Sequence, residues 1–292
     1  MTISNSTHPP LDFSGVEETT LLTLYAKAIE SQSKDPILKD EKAEVLAAYL
    51  DPLLRQRTTK MAQQLVRRSI DPRMVVHLAL RTRKYDSYTK IFINKHPTAG
   101  VVNAGCGLDT RFFRVDNGKV QFFDLDLPDM IAFKRQILQQ AERYHMIGQS
   151  IMDFSWMDQV ESIQRPIIFL FEGLLMYLTE EEVKNLVLTC QERFPGSEMV
   201  CELTNKTWVE GFWGKLAAMK MKQRAKMGSD ANFQFGVSKP EELETWHEGI
   251  EFLEQWFYMD DNHPKIGLMR IFRNWKIFRT AQYTARYRLL GS

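Results

Sequence analysis

Carboxylates close several apolar runs in the middle of this chain. Asp124 and Asp126 end VQFFDLD, Asp153 follows a weaker run in SIMDFSW, and Glu172 ends PIIFLFEG. An acidic side chain at the end of a buried run is costly unless it has a partner, so each of these marks a place to look for a ligand or a cation. Upstream of them, VVNAGCGLDTR starts as an apolar run at Val101 and breaks at Gly105-Cys106-Gly107. A strand, a glycine turn and a helix N-terminus form a cradle. The glycines let a ligand approach the backbone, and the exposed amides face it.

The spacing narrows the ligand. Asp124 and Asp126 lie about 20 residues beyond the turn, the separation expected of a carboxylate that binds ribose hydroxyls. The dinucleotide fingerprint is not completed, because Thr110 stands where its third glycine would be. That glycine permits tight helix–strand packing beneath a pyrophosphate. Its absence favours a nucleoside without one, and S-adenosylmethionine, with its ribose hydroxyls, adenine and amino-acid tail, fits. Asp153 is placed to accept the adenine amino group while Phe154 covers the ring. Arg81, in ALRTRKYD, is suited to pair with the amino-acid carboxylate in bidentate fashion. Asp109 and Arg111 read as an ion pair bracing the loop. In open α/β sheets, residues at strand ends converge on one crevice.

The elements that must hold these residues follow from periodicity. The first hundred residues read as helical, with apolar residues at helical spacing in Leu21–Ile29, a helix capped by Asp40, and helical patterns over Met61–Val66 and Met74–Ile93. From Val101 short apolar runs alternate with amphipathic stretches. VVNA, VQFFDLD, MIGQS, PIIFLFEG and SEMVCELT read as strands, with a helix over Asp129–Arg143 and another behind a capping box at Thr179–Glu182. Alternation of this kind predicts a doubly wound α/β domain with a mostly parallel sheet. EFLEQWFYMD and FRTAQYTARYRL supply two further strands, the second placed antiparallel. A Met- and Lys-rich helical stretch after Thr204 reads as a lid insertion over about 206–245. The boundaries expected are a helical region over 1–96 and an α/β core over 97–292.

Bulk properties exclude several classes. The 292 residues carry a formal net charge of +1, against a dedicated nucleic-acid or membrane-surface binder. Three unclustered cysteines and a polar N-terminus predict no disulfide framework, no metal and a cytoplasmic protein. Met219, Met221 and Met227 read as ordinary packing, and Arg270, Arg273, Lys276 and Arg279 as a solvated face. Two other classes stay open, a nicotinamide-dependent oxidoreductase and a cofactor-binding sensor without catalysis.

The stretches LRTRKYD, VVNAGCGLDTRFFRV, FFDLDLPDMI, SIMDFSW and FEGLLMYLTEEEV, in this order between Arg81 and Val183, resemble the leucine carboxyl methyltransferase superfamily of class I S-adenosylmethionine-dependent methyltransferases. The likeness is to its bacterial branch, which includes the tetracenomycin polyketide O-methyltransferase. AIESQSKDPILKDEKA resembles the family's entry segment. The resemblance implies a Rossmann-like core with a seven-stranded sheet, a helical N-terminal region and a lid. It also implies cofactor contacts from Arg81, Gly105, Asp126, Asp153, Phe154 and Glu172, with Asp124 as a second ribose contact and Tyr177 beside the active site; Gly107 joins them from the glycine turn itself. The implied reaction is in-line methyl transfer to a carboxylate or hydroxyl of a small polyketide-like or aromatic metabolite. A protein C-terminal carboxylate is the alternative acceptor, and a modified tRNA gains no support from the near-neutral charge. A hydroxyl acceptor requires a base, with Tyr177 and His247 as the candidates. The protein is expected to act as a monomer or homodimer.

Overall fold

A computed structural model describes residues 18–209 and 233–291. Its first four elements are helices: α1 (Glu18–Ser31), α2 (Glu41–Arg55), α3 (Lys60–Val66) and α4 (Pro72–Lys95). Asp40 caps α2 by accepting from the Ala43 amide at 2.9 Å. Pro72 opens α4, where a missing N–H is harmless, and Asp71 caps it. The apolar faces of these helices merge with one side of the sheet in a single core, which joins Leu24, Leu46 and Tyr85 to Val101, Phe122 and Ile168.

The sheet has seven strands in the order β3-β2-β1-β4-β5-β7-β6. They are β1 (Gly100–Ala104), β2 (Gln121–Asp126), β3 (Tyr144–Gly148), β4 (Ile167–Phe171), β5 (Ser197–Thr204), β6 (Ile250–Phe257) and β7 (Gln282–Leu289). The first five are parallel, and β7 runs antiparallel between β5 and β6. Every residue of β1, β4 and β5 is buried, as expected for central strands covered on both faces. The expected Rossmann-like, mostly parallel sheet with helices on its faces is therefore present.

Between the strands lie the short helices α5 (Arg111–Val115), α6 (Pro128–Ile137) and α7 (Trp156–Glu161), then α8 (Glu180–Arg193), and after β5 the helix α9 (Lys206–Val209). The capping box of α8 is complete, with Thr179 and Glu182 each satisfying the other's backbone amide. Two expected boundaries move. The helix expected over Asp129–Arg143 ends at Ile137, because the buried Leu138 turns extended and Ala141 pairs with Tyr144 ahead of β3. The last strand starts at Gln282 rather than at Phe278, which lies in a short helical turn, Lys276–Arg279. Most of the lid, with Met219, Met221 and Met227, lies outside the described residues; within them, Pro240–Trp246 forms a 3-10 turn. Among the described residues, no helix is long and apolar enough to cross a membrane.

Candidate cofactor and methyl-transfer site

Strand order reverses between β1 and β4, and the crevice at their C-terminal ends is the place where an open α/β sheet binds ligand. On the β1 side, Gly105 and Gly107 take left-handed φ values of +63° and +45°. Gly105 is exposed, and a Cβ there would come within 3.1 Å of Leu174. Gly107 is buried beneath α1, and a Cβ there would lie 2.3 Å from the Thr20 hydroxyl. Only glycine combines this backbone with these neighbours. Asp126, ending β2, accepts from the Gly107 amide at 2.7 Å through one carboxylate oxygen and from the Leu127 amide at 2.8 Å through the other. Burial raises its carboxyl above the usual range, partly offset by those two amides. The cradle thus ends in a carboxylate poised beside the glycine turn.

Asp124 does something else. It is 1% exposed, and its carboxylate is taken up by Lys134 at 2.7 Å, Asn103 at 2.9 Å and Tyr144 at 2.5 Å. No edge is left for a ribose, so Asp124 is a buried counter-ion for Lys134, and its expected cofactor role is withdrawn. Both carboxylates point to the same face of β2, two residues apart. Asp126 is the last residue of the strand and part-exposed, whereas Asp124 lies one step deeper and meets Lys134, Asn103 and Tyr144.

Across the switch point stands a buried ionic network. Arg81 donates from Nε to Glu172 at 2.8 Å and from Nη1 to Glu202 at 2.9 Å. The other oxygen of Glu172 pairs with Arg111, which is fully buried and also bonds Asp86 at 2.9 Å, Asp109 at 2.7 Å and Asn103 at 3.0 Å. Arg114 joins Asp40 and Asp86, each at 2.6 Å, and Lys27 of α1 reaches Asp109 at 2.7 Å. The expected Asp109–Arg111 pair is present, as one link in this network. Burial acts to raise the Glu172 carboxyl, but Arg111 and Arg81 outweigh it and hold the group below its ordinary value. Asp109 is held lower still, because Arg111, Lys27 and Arg114 together overcome its burial. Glu172 therefore stays ionised as a strut between two arginines, and Arg81 keeps Nη2 without a hydrogen bond among the described residues.

Of the remaining expected residues, Asp153, Phe154 and Tyr177 follow the C-terminal ends of β3 and β4. Beyond β3, Asp153 is exposed and accepts from the Ser155 amide and hydroxyl, while Phe154 is half-buried against the core on the other side of the sheet. Tyr177 ends the 3-10 turn Leu175–Tyr177, which follows β4, and its ring meets Phe233 edge-on at 5.6 Å. His247 does not belong to the site. It precedes β6, which runs parallel to β5, and so lies at the opposite end of the sheet, where its Nδ1 contacts Gln191 at 2.7 Å.

Three residues in the crevice escaped the sequence reading. Glu202 occupies the C-terminal half of β5, and the strand-end rule applied to SEMVCELT would have found it. Lys27 carried no signal, because its partner Asp109 is 82 residues away. His77 stands one helical turn before Arg81 with its ring 4.6 Å from that of Tyr258. Burial and the nearby Arg81 lower its pKa to about 4, so it is neutral at physiological pH.

A glycine cradle beside a part-buried carboxylate on one side of a switch point, and an arginine whose Nη2 has no hydrogen bond among the described residues on the other, form a crevice suited to a nucleoside in a Rossmann-type sheet. The chemistry of these residues is compatible with S-adenosylmethionine: Asp126 with a ribose diol, the left-handed Gly105 with a close approach, and Nη2 of Arg81 with a carboxylate. The position of the missing third glycine is filled by Thr110, which is fully buried and donates to Asp40 at 2.6 Å, so it anchors the N-terminal helices rather than leaving room for a pyrophosphate.

Comparison with known proteins agrees. The model of the leucine carboxyl methyltransferase family matches residues 20–191. The tetracenomycin polyketide synthesis O-methyltransferase TcmP of Streptomyces glaucescens is 31% identical over 248 residues, 84% of each chain. The S-adenosyl-L-methionine-dependent methyltransferase dpfgK of Gibberella zeae is 29% identical over 87% of this chain and 85% of its own. A crystal structure from Thermobifida fusca superposes with a TM-score of 0.56 at 17% identity, covering 99% of this chain and 100% of that one, which speaks to the fold alone. The chain belongs to the leucine carboxyl methyltransferase family. It is an S-adenosylmethionine-dependent methyltransferase, and the nicotinamide and sensor readings are set aside.

Proposed function

We propose that this enzyme methylates a carboxylate or hydroxyl oxygen of a small polyketide-like or aromatic metabolite. The observation that carries this reading is the kinship, over 84% of both chains, with an O-methyltransferase of polyketide synthesis. The chain's residues divide the work. Asp126 holds the ribose hydroxyls, Gly105 and Gly107 admit the cofactor against the backbone, and Asp153 with Phe154 receives the adenine. Arg81, braced by Glu172 and Glu202, receives the amino-acid carboxylate through its free nitrogen. When bound, the cofactor supplies a methyl group already activated by the sulfonium.

The protein then has to align the acceptor oxygen, and alignment of this kind supplies about 7–11 kcal/mol of a barrier. Tyr177, on the turn leading out of β4 above Gly105, borders the acceptor. A carboxylate acceptor is ionised and needs no base. A hydroxyl acceptor needs a base, and burial, which lowers the His77 pKa to about 4, makes that residue a weak one. The test is transfer of labelled methyl to a panel of carboxylated and hydroxylated aromatic polyketides, beside a peptide with a C-terminal leucine carboxylate. Label in the small aromatics supports the reading. Label only in the peptide overturns it in favour of a protein carboxyl methyltransferase.

A further inference from the structure

The ionic network beneath the crevice is not electroneutral. Its cations are Lys27, Arg81, Arg111 and Arg114, and its carboxylates are Asp40, Asp86, Asp109, Glu172 and Glu202. Fully ionised, it carries one more negative than positive charge among the described residues. A buried charge without a counter-charge is strongly unfavourable, so the network must either hold one proton or acquire a cation.

Glu202 is the member placed to hold that proton. It is 2% exposed, and its one cationic contact among the described residues is Arg81, which it shares with Glu172. Among the described residues, the ionisable groups facing it are Arg81 and Tyr85 from α4, Glu172 beyond β4, and Cys201 beside it on β5, of which only Arg81 is positive. Beside Arg81, Glu202 has the Gly173 amide, whereas Asp40 has Arg114, the Ala43 amide and the Thr110 hydroxyl. Burial and the neighbouring Glu172 lift the Glu202 carboxyl above its ordinary range despite Arg81.

S-adenosylmethionine brings what the network lacks. Its sulfonium and ammonium outweigh its carboxylate by one positive charge, whereas the demethylated product, S-adenosylhomocysteine, is neutral overall. We infer that Glu202 lets the site read the charge of its ligand, ionised when the cationic cofactor is bound and protonated when the neutral product is bound. The inference rests on the reading that Arg81 faces the cofactor's amino-acid end. It makes the enzyme favour cofactor over product by charge, and increasingly so as pH rises.

The test is calorimetric titration of the whole protein with S-adenosylhomocysteine and with sinefungin, a stable analogue whose protonated amine replaces the sulfonium methyl. Titrations are run in buffers of different ionisation enthalpy, at pH values where that amine stays charged. Both ligands present the same ribose to Asp126, so proton exchange there cancels in the comparison. The expected result is that sinefungin expels more protons than the homocysteine compound, by up to about one. Its relative affinity rises with pH, approaching about tenfold per pH unit while free Glu202 is protonated. Glu202→Gln, folded by circular dichroism and still binding the homocysteine compound, loses both differences. Equal proton exchange for the two ligands in the wild type overturns the inference whether or not the variant folds, as does a difference that survives in Glu202→Gln. Failure of both ligands to bind instead removes the cradle reading beneath it.

Discussion

Replacing Gly105 by alanine separates a turn that merely folds from a turn that binds. At φ +63° an L-residue sits in the left-handed region, a penalty of about 1–2 kcal/mol. The new methyl would meet Leu174 Cδ1 at 3.1 Å, a flexible side-chain end that can yield by a few tenths of an ångström. The sum stays near 1–2 kcal/mol, which in a protein of this size lowers Tm by roughly 2–6 °C. Gly118→Ala is the internal reference, since it has φ +79° with nothing within 4 Å of the added carbon, and it reports the backbone penalty alone. Gly107→Ala is harsher, because the methyl would lie 2.3 Å from the Thr20 hydroxyl and must displace that side chain of α1. Overpacking adds about 1–3 kcal/mol. The expected order of Tm loss is therefore Gly107→Ala greatest, with Gly105→Ala and Gly118→Ala similar. Binding has a different order. Gly105→Ala weakens S-adenosylhomocysteine at least about tenfold, equivalent to 1.4 kcal/mol, while Gly118→Ala leaves it unchanged. Differential scanning calorimetry and isothermal titration measure both. If Gly105→Ala binds the homocysteine compound as the wild type does, within the error of a titration, Gly105 is a structural turn residue and the cradle assignment falls.

Asp126→Ala is expected to weaken S-adenosylhomocysteine by about 10–100-fold, because the ribose loses a charged acceptor in a partly buried site, with little change in far-ultraviolet circular dichroism. Arg111→Met leaves Asp86, Asp109 and Glu172 short of a buried counter-charge, which should cost about 3–5 kcal/mol in urea unfolding at pH 7. The pH dependence has a definite sign. Asp109 and Glu172 are held below their ordinary values in the folded protein. Their contribution is therefore present above the unfolded carboxyl range and lost as pH falls through the folded values. The wild type should lose stability steeply on acidification below about pH 4, and Arg111→Met should show a shallower slope in the same titration. Glu202 and Asp126, both raised, act the other way, with stability declining as pH climbs from the ordinary carboxyl value through the folded one. Tyr177→Phe should lower kcat at least about tenfold with the homocysteine compound bound as in the wild type, since a hydroxyl that orders the acceptor acts after the cofactor is in place. An unchanged kcat removes Tyr177 from the acceptor side.

What the sequence disclosed and what it hid divide along one physical line. Gly105, Asp126 and Glu172 were legible because each closes a short strand, and strand ends of an open α/β sheet are brought together by topology alone. The strands themselves were legible because central parallel strands are apolar throughout, as in Ile167–Phe171. The misreadings occur where a tertiary partner decides. Asp124 and Asp126 look interchangeable in FFDLDLP, yet burial of Lys134 from α6 claims the first and leaves the second. His247 beside Trp246 is one of two candidate bases by residue type alone, and the direction of β6 puts it at the far end of the sheet.

The ionic network was the least legible feature, because its members are scattered from Lys27 to Glu202 and each alone resembles an ordinary surface charge. Its arrangement changes how Glu172 should be understood. A carboxylate with Arg81 on one oxygen and Arg111 on the other has little left to offer a ligand, so its effect on binding is transmitted through the orientation of Arg81. Removing Glu172 and removing Glu202 should then have opposite electrostatic consequences. Loss of Glu172 strips Arg111 of a partner and turns Arg81 loose, whereas loss of the charge on Glu202 brings the network to neutrality and leaves the strut in place. A Glu172→Gln variant is thus expected to lose stability and affinity for S-adenosylhomocysteine together, in urea unfolding and titration alike, while Glu202→Gln loses less of both, because its amide oxygen still accepts from Arg81, and loses the preference for the cationic ligand.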